Sequence, residues 1–380
     1  MKPPLDRNEF ALDPDIVWLA HCSEGPVPAA ASAAVETFMD RERRPWALRW
    51  KEDFLGLPER VKHSAGRLLG CEPEDLALTP TTSSGLAVVA QGWPWEDGDE
   101  VLLPLGEFPS NVWPWKALHA RGVRLREIPL WDGHRAGAQA GESCPPSAAD
   151  SPEARLAEAI GPRTRVVSAS WVRFQDGLKL DLGRLAEACR ARGVALCVDG
   201  IQGAGTAPCE LSRLGVGVLA TGGHKGLLAP QGLGVVAVRP QMRERLTPTG
   251  SWLSVEQGTD FARASTDHAR AWLDTAERFE QGVPNLLGCA ALEVSLAMIE
   301  RAGVATIASH VDELQRWLLA ELAGTDTWGA ESRRLEELRA AGWLGAILSL
   351  HHGGRGDAWL EALRKEGTAR GLYASVREGY

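Results

Sequence analysis

Residues 165–198 read RVVSASWVRFQDGLKLDLGRLAEACRARGVALCV. Arg165 to Ser170 and Val194 to Val198 are short, apolar-rich runs, and Val166-Val167 are consecutive rather than alternating, as in a strand covered on both faces. Between these runs, Asp181 to Arg192 places Leu182, Leu185, Ala186 and Cys189 on one face of a helix. Asp181 suits the N-cap, because a short carboxylate accepts from the first free backbone N–H groups. Gly193 suits the C′ position, where the chain turns left-handed. Strand, helix and strand in that order predict a parallel βαβ unit and so an α/β lobe.

Working outward, Val101 to Leu105 and Leu233 to Val238 are further strand candidates, so the α/β pattern extends from about Asp75 to Arg239. Asp132 to Ser151 is rich in Ala, Gly, Ser and Pro without periodicity and reads as a surface loop. Beyond about Asp260 the helices Leu286 to Arg301 and Ile307 to Leu322 are expected, with Ala346 to Leu350 and Leu372 to Val376 as strands of a smaller α+β lobe. A chain of 380 residues exceeds what one hydrophobic core supports, which also argues for two lobes. The expected division is a large domain at 15–262 and a small one at 263–380 joined by 1–14.

Composition narrows the function. A net charge of −9 without a basic stripe argues against nucleic acid as the partner. No apolar run reaches bilayer-spanning length, and the charged, proline-bearing start carries no export signal, so a cytoplasmic location is expected. Seven cysteines form no Cys-x-x-Cys pair, which argues against a zinc or dithiol site, and no metal is expected. Fifteen tryptophans accompany two tyrosines; Trp113, Trp115, Trp171 and Trp252 fall near the motifs below.

Three segments carry chemistry. In Thr221-Gly222-Gly223-His224-Lys225-Gly226 the lysine is not a P-loop lysine, since Gly follows it where Ser or Thr is needed. A lone loop lysine is usually a solvated charge. Here Lys225 instead precedes a buried strand, within backbone that lets a bulky ligand approach closely. Burial lowers a lysine's pKa and yields a neutral amine able to attack an aldehyde. Asp199, after the run Val194 to Val198, stands at the carboxyl end of a strand, the edge where open α/β sheets bind ligands. Thr81-Thr82-Ser83-Ser84-Gly85 starts a helix; it reads both as an N-cap and as a phosphate site.

Thr81-Thr82, Glu107-Phe108-Pro109-Ser110-Asn111, Asp199-Gly200-Ile201-Gln202 and His224-Lys225 stand in the order and spacing of class V aminotransferases, a family that includes cysteine desulfurases and selenocysteine lyases. Arg278 to Asn285 resembles a further segment of that family, and the resemblance runs from about Trp18 to Arg377. It implies the type I pyridoxal-phosphate fold, with a mostly parallel seven-stranded sheet between helices and a smaller α+β lobe, usually in a homodimer. By resemblance Lys225 is the Schiff-base lysine and Asp199 the partner of the pyridine nitrogen. Gln202 faces the phenolic oxygen, Thr81, Thr82 and His224 hold phosphate, and Phe108 stacks on the cofactor ring. Trp171 and Arg377 are the candidate substrate contacts.

Departures bear on the reaction. Gly222 replaces a phosphate-binding serine, with Thr221 as the candidate substitute, and Val283 replaces a threonine that reaches the partner subunit's phosphate. Each loss weakens cofactor binding by about 1 kcal/mol unless replaced. No cysteine follows Cys289, which disfavours a persulfide-forming desulfurase. The chain stops at Tyr380, before the family strand whose arginine clamps the substrate carboxylate, a bidentate task. Arg377 is the alternative clamp. The expected activity is aminotransferase-like turnover of an amino acid or amine, with lyase, C–S cleavage or epimerase chemistry, or a non-catalytic degraded relative, as alternatives.

Overall fold

The computed structural model describes residues 2–132, 134, 151–351 and 355–376. Nine strands occur in these residues: β1 (Val17–Trp18), β2 (Leu76–Thr79), β3 (Glu100–Pro104), β4 (Arg124–Ile128), β5 (Thr164–Ser170), β6 (Ala195–Asp199), β7 (Val218–Gly222), β8 (Gly234–Val238) and β9 (Leu372–Tyr373). Seven of them form one sheet in the order β2-β8-β7-β6-β5-β3-β4. The pairs β4–β3, β3–β5, β5–β6 and β6–β7 are parallel, while β8 runs antiparallel to both β7 and β2.

Side-chain alternation explains the unbroken apolar runs. Leu102, Val167, Leu196, Val198 and Leu219 join one core cluster, with Val61, Leu69, Leu182 and Leu185 of the helices Leu57–Leu69 and Leu182–Ala191. Val101, Leu103, Val166, Cys197 and Ala220 face the opposite way and pack with Leu86 and Val89 of the helix Thr82–Gly92. Both sheet faces are therefore dry, and either phase of the alternation must be apolar.

The expected βαβ unit is present. The helix spans Leu182–Ala191, Asp181 Oδ1 accepts from Arg184 N at 3.0 Å, and Gly193 has φ +68°. The four expected strands match β3, β5, β6 and β8 within a residue or two at each end. The helices Leu286–Ala302 and Val304–Leu322 also stand where expected. Ala346 to Leu350, however, forms no strand: the segment makes no backbone ladder, and Leu348 and Leu350 instead pack on a small cluster around Leu335 and Leu338. Of Leu372 to Val376, only Leu372–Tyr373 pairs, in parallel with β1. Within the expected loop, residues 133 and 135–150 lie outside the described residues, as does Arg377. No described helix is long and apolar enough to cross a membrane, and no cluster of three potential metal ligands occurs among the described residues.

The parallel arrangement fixes the site. β3, β5, β6 and β7 end at the same edge, and the chain leaving them carries Phe108, Trp171, Gln202 and Lys225.

Candidate active site

Lys225 follows β7 in a turn closed by bonds from Gly223 N to Leu233 O and from Ala229 N to Gly223 O. Its backbone is wedged between glycines. A Cβ on Gly25 would stand 2.2 Å from the Lys225 carbonyl oxygen, and one on Gly226 would stand 2.3 Å from that of Ala204. Gly25 N also donates to His224 O at 2.8 Å, tying the N-terminal segment to the lysine turn. The Lys225 side chain is 8% exposed, and its Nζ lies 5.5 Å from the centre of the Phe108 ring. Phe108 in turn meets Phe174 edge-on at 5.1 Å.

Asp199 ends β6. Its Oδ1 accepts from Ile201 N at 3.0 Å, while Oδ2 is buried and has no hydrogen-bond partner among the described residues. Burial pushes this carboxyl up to about 7, the charge of Glu107 adds to the rise, and the Ile201 N–H and Lys225 oppose it. The ammonium of Lys225 is thus near enough to Asp199 to offset part of the rise.

Gln202 lines the same cavity as Lys225 and Phe108, its Nε2 donating to Cys22 O at 2.9 Å. Thr81 is the N-cap of the helix Thr82–Gly92, its Oγ1 accepting from Ser84 N at 3.1 Å; Thr82 Oγ1 is buried without a partner among the described residues. Thr221 is fully buried and donates to Gly222 O at 3.2 Å. The His224 ring lies against Gly222, where an added Cβ would come within 3.1 Å of it; burial lowers the imidazole's pKa. Trp171 packs behind the turn at Gly203 and is not on the cavity wall, and Val283 is exposed.

The cavity measures about 720 Å³. Lys225, Gln202, Phe108, His21, Cys22 and Gln175 line it, and Ile307, Val311 and Leu314 belong to its apolar wall. Sequence reasoning missed His21 and Cys22, which come from the N-terminal segment and carry no local signal. It also gave no role to Glu107 and Asn111, although both stand in a quoted motif. Glu107 Oε1 accepts from Ser170 N at 2.9 Å, and Oε2 accepts from Ser170 Oγ and from Asn111 Nδ2. Asn111 Oδ1 accepts from Ser168 Oγ at 2.5 Å and from Trp115 Nε1 at 3.2 Å. The i, i+4 spacing of Glu107 and Asn111 and the i, i+2 spacing of Ser168 and Ser170 were the available clues.

The family model for aminotransferase class V matches residues 51–339 of the chain, a stretch that includes Lys225, Asp199 and Phe108. The chain belongs to the class V aminotransferases. Pyridoxal phosphate is the cofactor of that family. The isopenicillin N epimerase of Streptomyces clavuligerus is 34% identical over 251 residues, covering 65% of this chain and 59% of that protein. A cysteine desulfurase of Klebsiella pneumoniae is 27% identical over 274 residues, covering 70% of this chain and 61% of that protein. The matches thus span about three fifths of those two relatives' lengths. Among solved structures, a cysteine desulfurase from Thermococcus onnurineus superposes with TM-score 0.76 at 20% identity, over 96% of this chain and 86% of that one. A C-DES mutant with glycine covalently linked to its PLP cofactor superposes with TM-score 0.75 at 21% identity, over 94% and 98%. These structures share the type I pyridoxal-phosphate fold seen here.

Proposed function

We propose that this class V enzyme acts on an amino acid by aminotransferase-type chemistry, with Lys225 binding the cofactor and moving the Cα proton. The observation that carries the reading is the buried Lys225 with Phe108 beside it and, on the next strand, a buried Asp199 whose Oδ2 lacks a partner. Pyridoxal phosphate, when bound, supplies an aldehyde for the amine and a pyridinium ring that accepts electrons from Cα.

The residues fit that group. Asp199 Oδ2 offers a dry carboxylate oxygen to a protonated ring nitrogen, and a cation there returns the acid to its ionised form. The orphaned Thr82 hydroxyl and the free N–H groups of its helix suit a phosphate, with His224 as a further donor. Thr221 is a weaker candidate because its hydroxyl already donates to Gly222 O, and Thr81 acts first as the cap. Gln202, whose Nε2 donates to Cys22 O, would face the phenolic oxygen of the ring, and Phe108 would stack on the ring and keep water from it. Lys225, nearly dry, is set to hold or release a proton at Cα. Arg377 stays the proposed carboxylate clamp.

Epimerisation is the second reading, favoured by the 34% identity to an isopenicillin N epimerase. It needs proton return at the opposite face of Cα, whereas transamination needs an amino acceptor. Residues 290–380 carry no cysteine, so the proposed route involves no persulfide on that segment. The test is product analysis in deuterated water. Keto acid formed only with an acceptor supports transamination; inverted, Cα-deuterated amino acid without acceptor sinks it in favour of epimerisation.

A cytoplasmic homodimer is part of the same proposal. Trp50, Phe54, Trp252 and Phe261 form an aromatic cluster in which Phe261 is 68% exposed, and a second copy of the chain would cover it. Sedimentation at a monomer's mass would refute the dimer.

A further inference from the structure

We propose that Glu107 is a positioning residue: it fastens the Phe108 loop to the strand beside Asp199 and so sets where the Phe108 ring stands over the cofactor site. This rests on the cofactor reading above but assigns a role to a residue that the reading does not use.

The geometry is specific. Glu107 is 8% exposed and directly precedes Phe108 in the link after β3. Its carboxylate reaches β5, taking both the backbone N–H and the hydroxyl of Ser170. Ser170 is the register partner of Asp199, so the anchor lies one strand from the carboxylate that faces the ring. On the other side of Phe108, Asn111 donates to Glu107 Oε2 at 3.1 Å and is itself held by Ser168 Oγ and Trp115 Nε1. The short turn Pro109–Asn111 has no side-chain cap of its own, so these bonds supply its tether. Phe108 is therefore clamped from both sides by one buried carboxylate.

Buried, charge-assisted bonds of this kind are worth more than neutral ones, and leaving a donor unpaired in a dry site is costly. Glu107→Gln keeps size and shape but has one acceptor oxygen in place of two, so its amide NH2 must face either Ser170 N or Asn111 Nδ2 and leave that donor without an acceptor. Phe108 then loses its fixed position while every group expected to touch the cofactor remains.

The test compares parent, Glu107→Gln, Ser170→Ala, Phe108→Ala and Glu107→Gln/Phe108→Ala. Two readouts need added pyridoxal phosphate: its Kd, and the circular dichroism of its visible band, which reports how the ring is held. The third, hydrogen exchange of residues 105–112 in cofactor-free protein, does not. Glu107→Gln is expected to raise Kd by about tenfold to thirtyfold, to diminish the visible dichroism, and to speed loop exchange by about tenfold. In the Phe108→Ala background the same change should alter Kd less than about twofold, because the ring through which it acts is gone. Should Glu107→Gln fold poorly, Ser170→Ala carries the same expectations in milder form. Unchanged Kd and dichroism, or a full effect that persists without Phe108, overturns the proposal. If the parent takes up no cofactor, the functional reading fails; faster loop exchange in the variants would still uphold the tether, and unchanged exchange would refute it.

Discussion

Asp199→Asn in cofactor-free protein tests the electrostatics of the site without any substrate. In the folded chain, burial holds the Asp199 carboxyl at about 7, against 3.8 for the free side chain. The raised value means that folding is favoured while the acid is neutral and penalised once it ionises. Its contribution to stability is thus fully present below about pH 4 and lost as pH rises through about 7. Between those values the unfolded chain has released a proton that the folded one keeps, so stability falls by about 1.4 kcal/mol per pH unit. The loss totals about 4 kcal/mol and then levels off. Asparagine has the same shape and no charge, so the variant escapes the penalty. Urea or thermal unfolding of both proteins from about pH 5 to pH 9 should show the variant gaining on the parent until about pH 7. The plateau corresponds to roughly 3–6 °C in Tm for a chain of this length. Pyridoxal phosphate should stabilise the parent more than the variant, because its protonated ring nitrogen would pair with the Asp199 carboxylate and has no charge to pair with in the variant. Parallel stability curves across the whole range would refute the reasoning and place Asp199 in contact with water.

Three further outcomes follow from the same geometry. Lys225→Ala should abolish the visible band formed with pyridoxal phosphate and its trapping by borohydride; a variant indistinguishable from the parent would remove Lys225 from its assigned role. Phe108→Ala removes the ring 5.5 Å from the lysine and should lower kcat by about tenfold or more, with faster loss of cofactor on dilution; unchanged kcat and dilution behaviour would show that the ring excludes nothing. Gly25→Ala forces a methyl against the Lys225 carbonyl at 2.2 Å, so a destabilisation of about 2–4 kcal/mol is expected in chemical unfolding; a neutral effect would mean that the N-terminal segment does not press on the lysine turn.

The fold was legible where burial is two-sided. Val166-Val167 and Val235-Val236 announce strands because no face of them meets water, and Asp181 and Gly193 mark the helix between two of them. β2, β4 and β7 escaped notice for separate reasons. β2 has four residues, β4 is a polar edge strand of sequence Arg-Leu-Arg-Glu-Ile, and β7 runs into the glycines of the lysine turn. Ala346 to Leu350 has the composition of a strand but finds no ladder partner, a matter of long-range pairing that no local pattern encodes. For the site, motifs placed Lys225, Gln202 and Phe108 around one cavity and Asp199 at the same sheet edge. They did not reveal that Trp171 lies behind it, because a residue just past a strand end is aimed by the packing at Gly203 rather than by its neighbours in sequence.

The glycines around Lys225 and the helix across the cavity differ in how much change they can absorb. At Gly25 and Gly226 any side chain meets a backbone oxygen, which has no rotamer to escape into, so a substitution there can be accommodated only by moving the chain. Ile307, Val311 and Leu314 stand on a helix facing open volume, where exchange of one apolar side chain for another alters shape at small cost. The lysine platform is thus fixed by backbone, whereas the wall carried by that helix can change the cavity's shape without disturbing it.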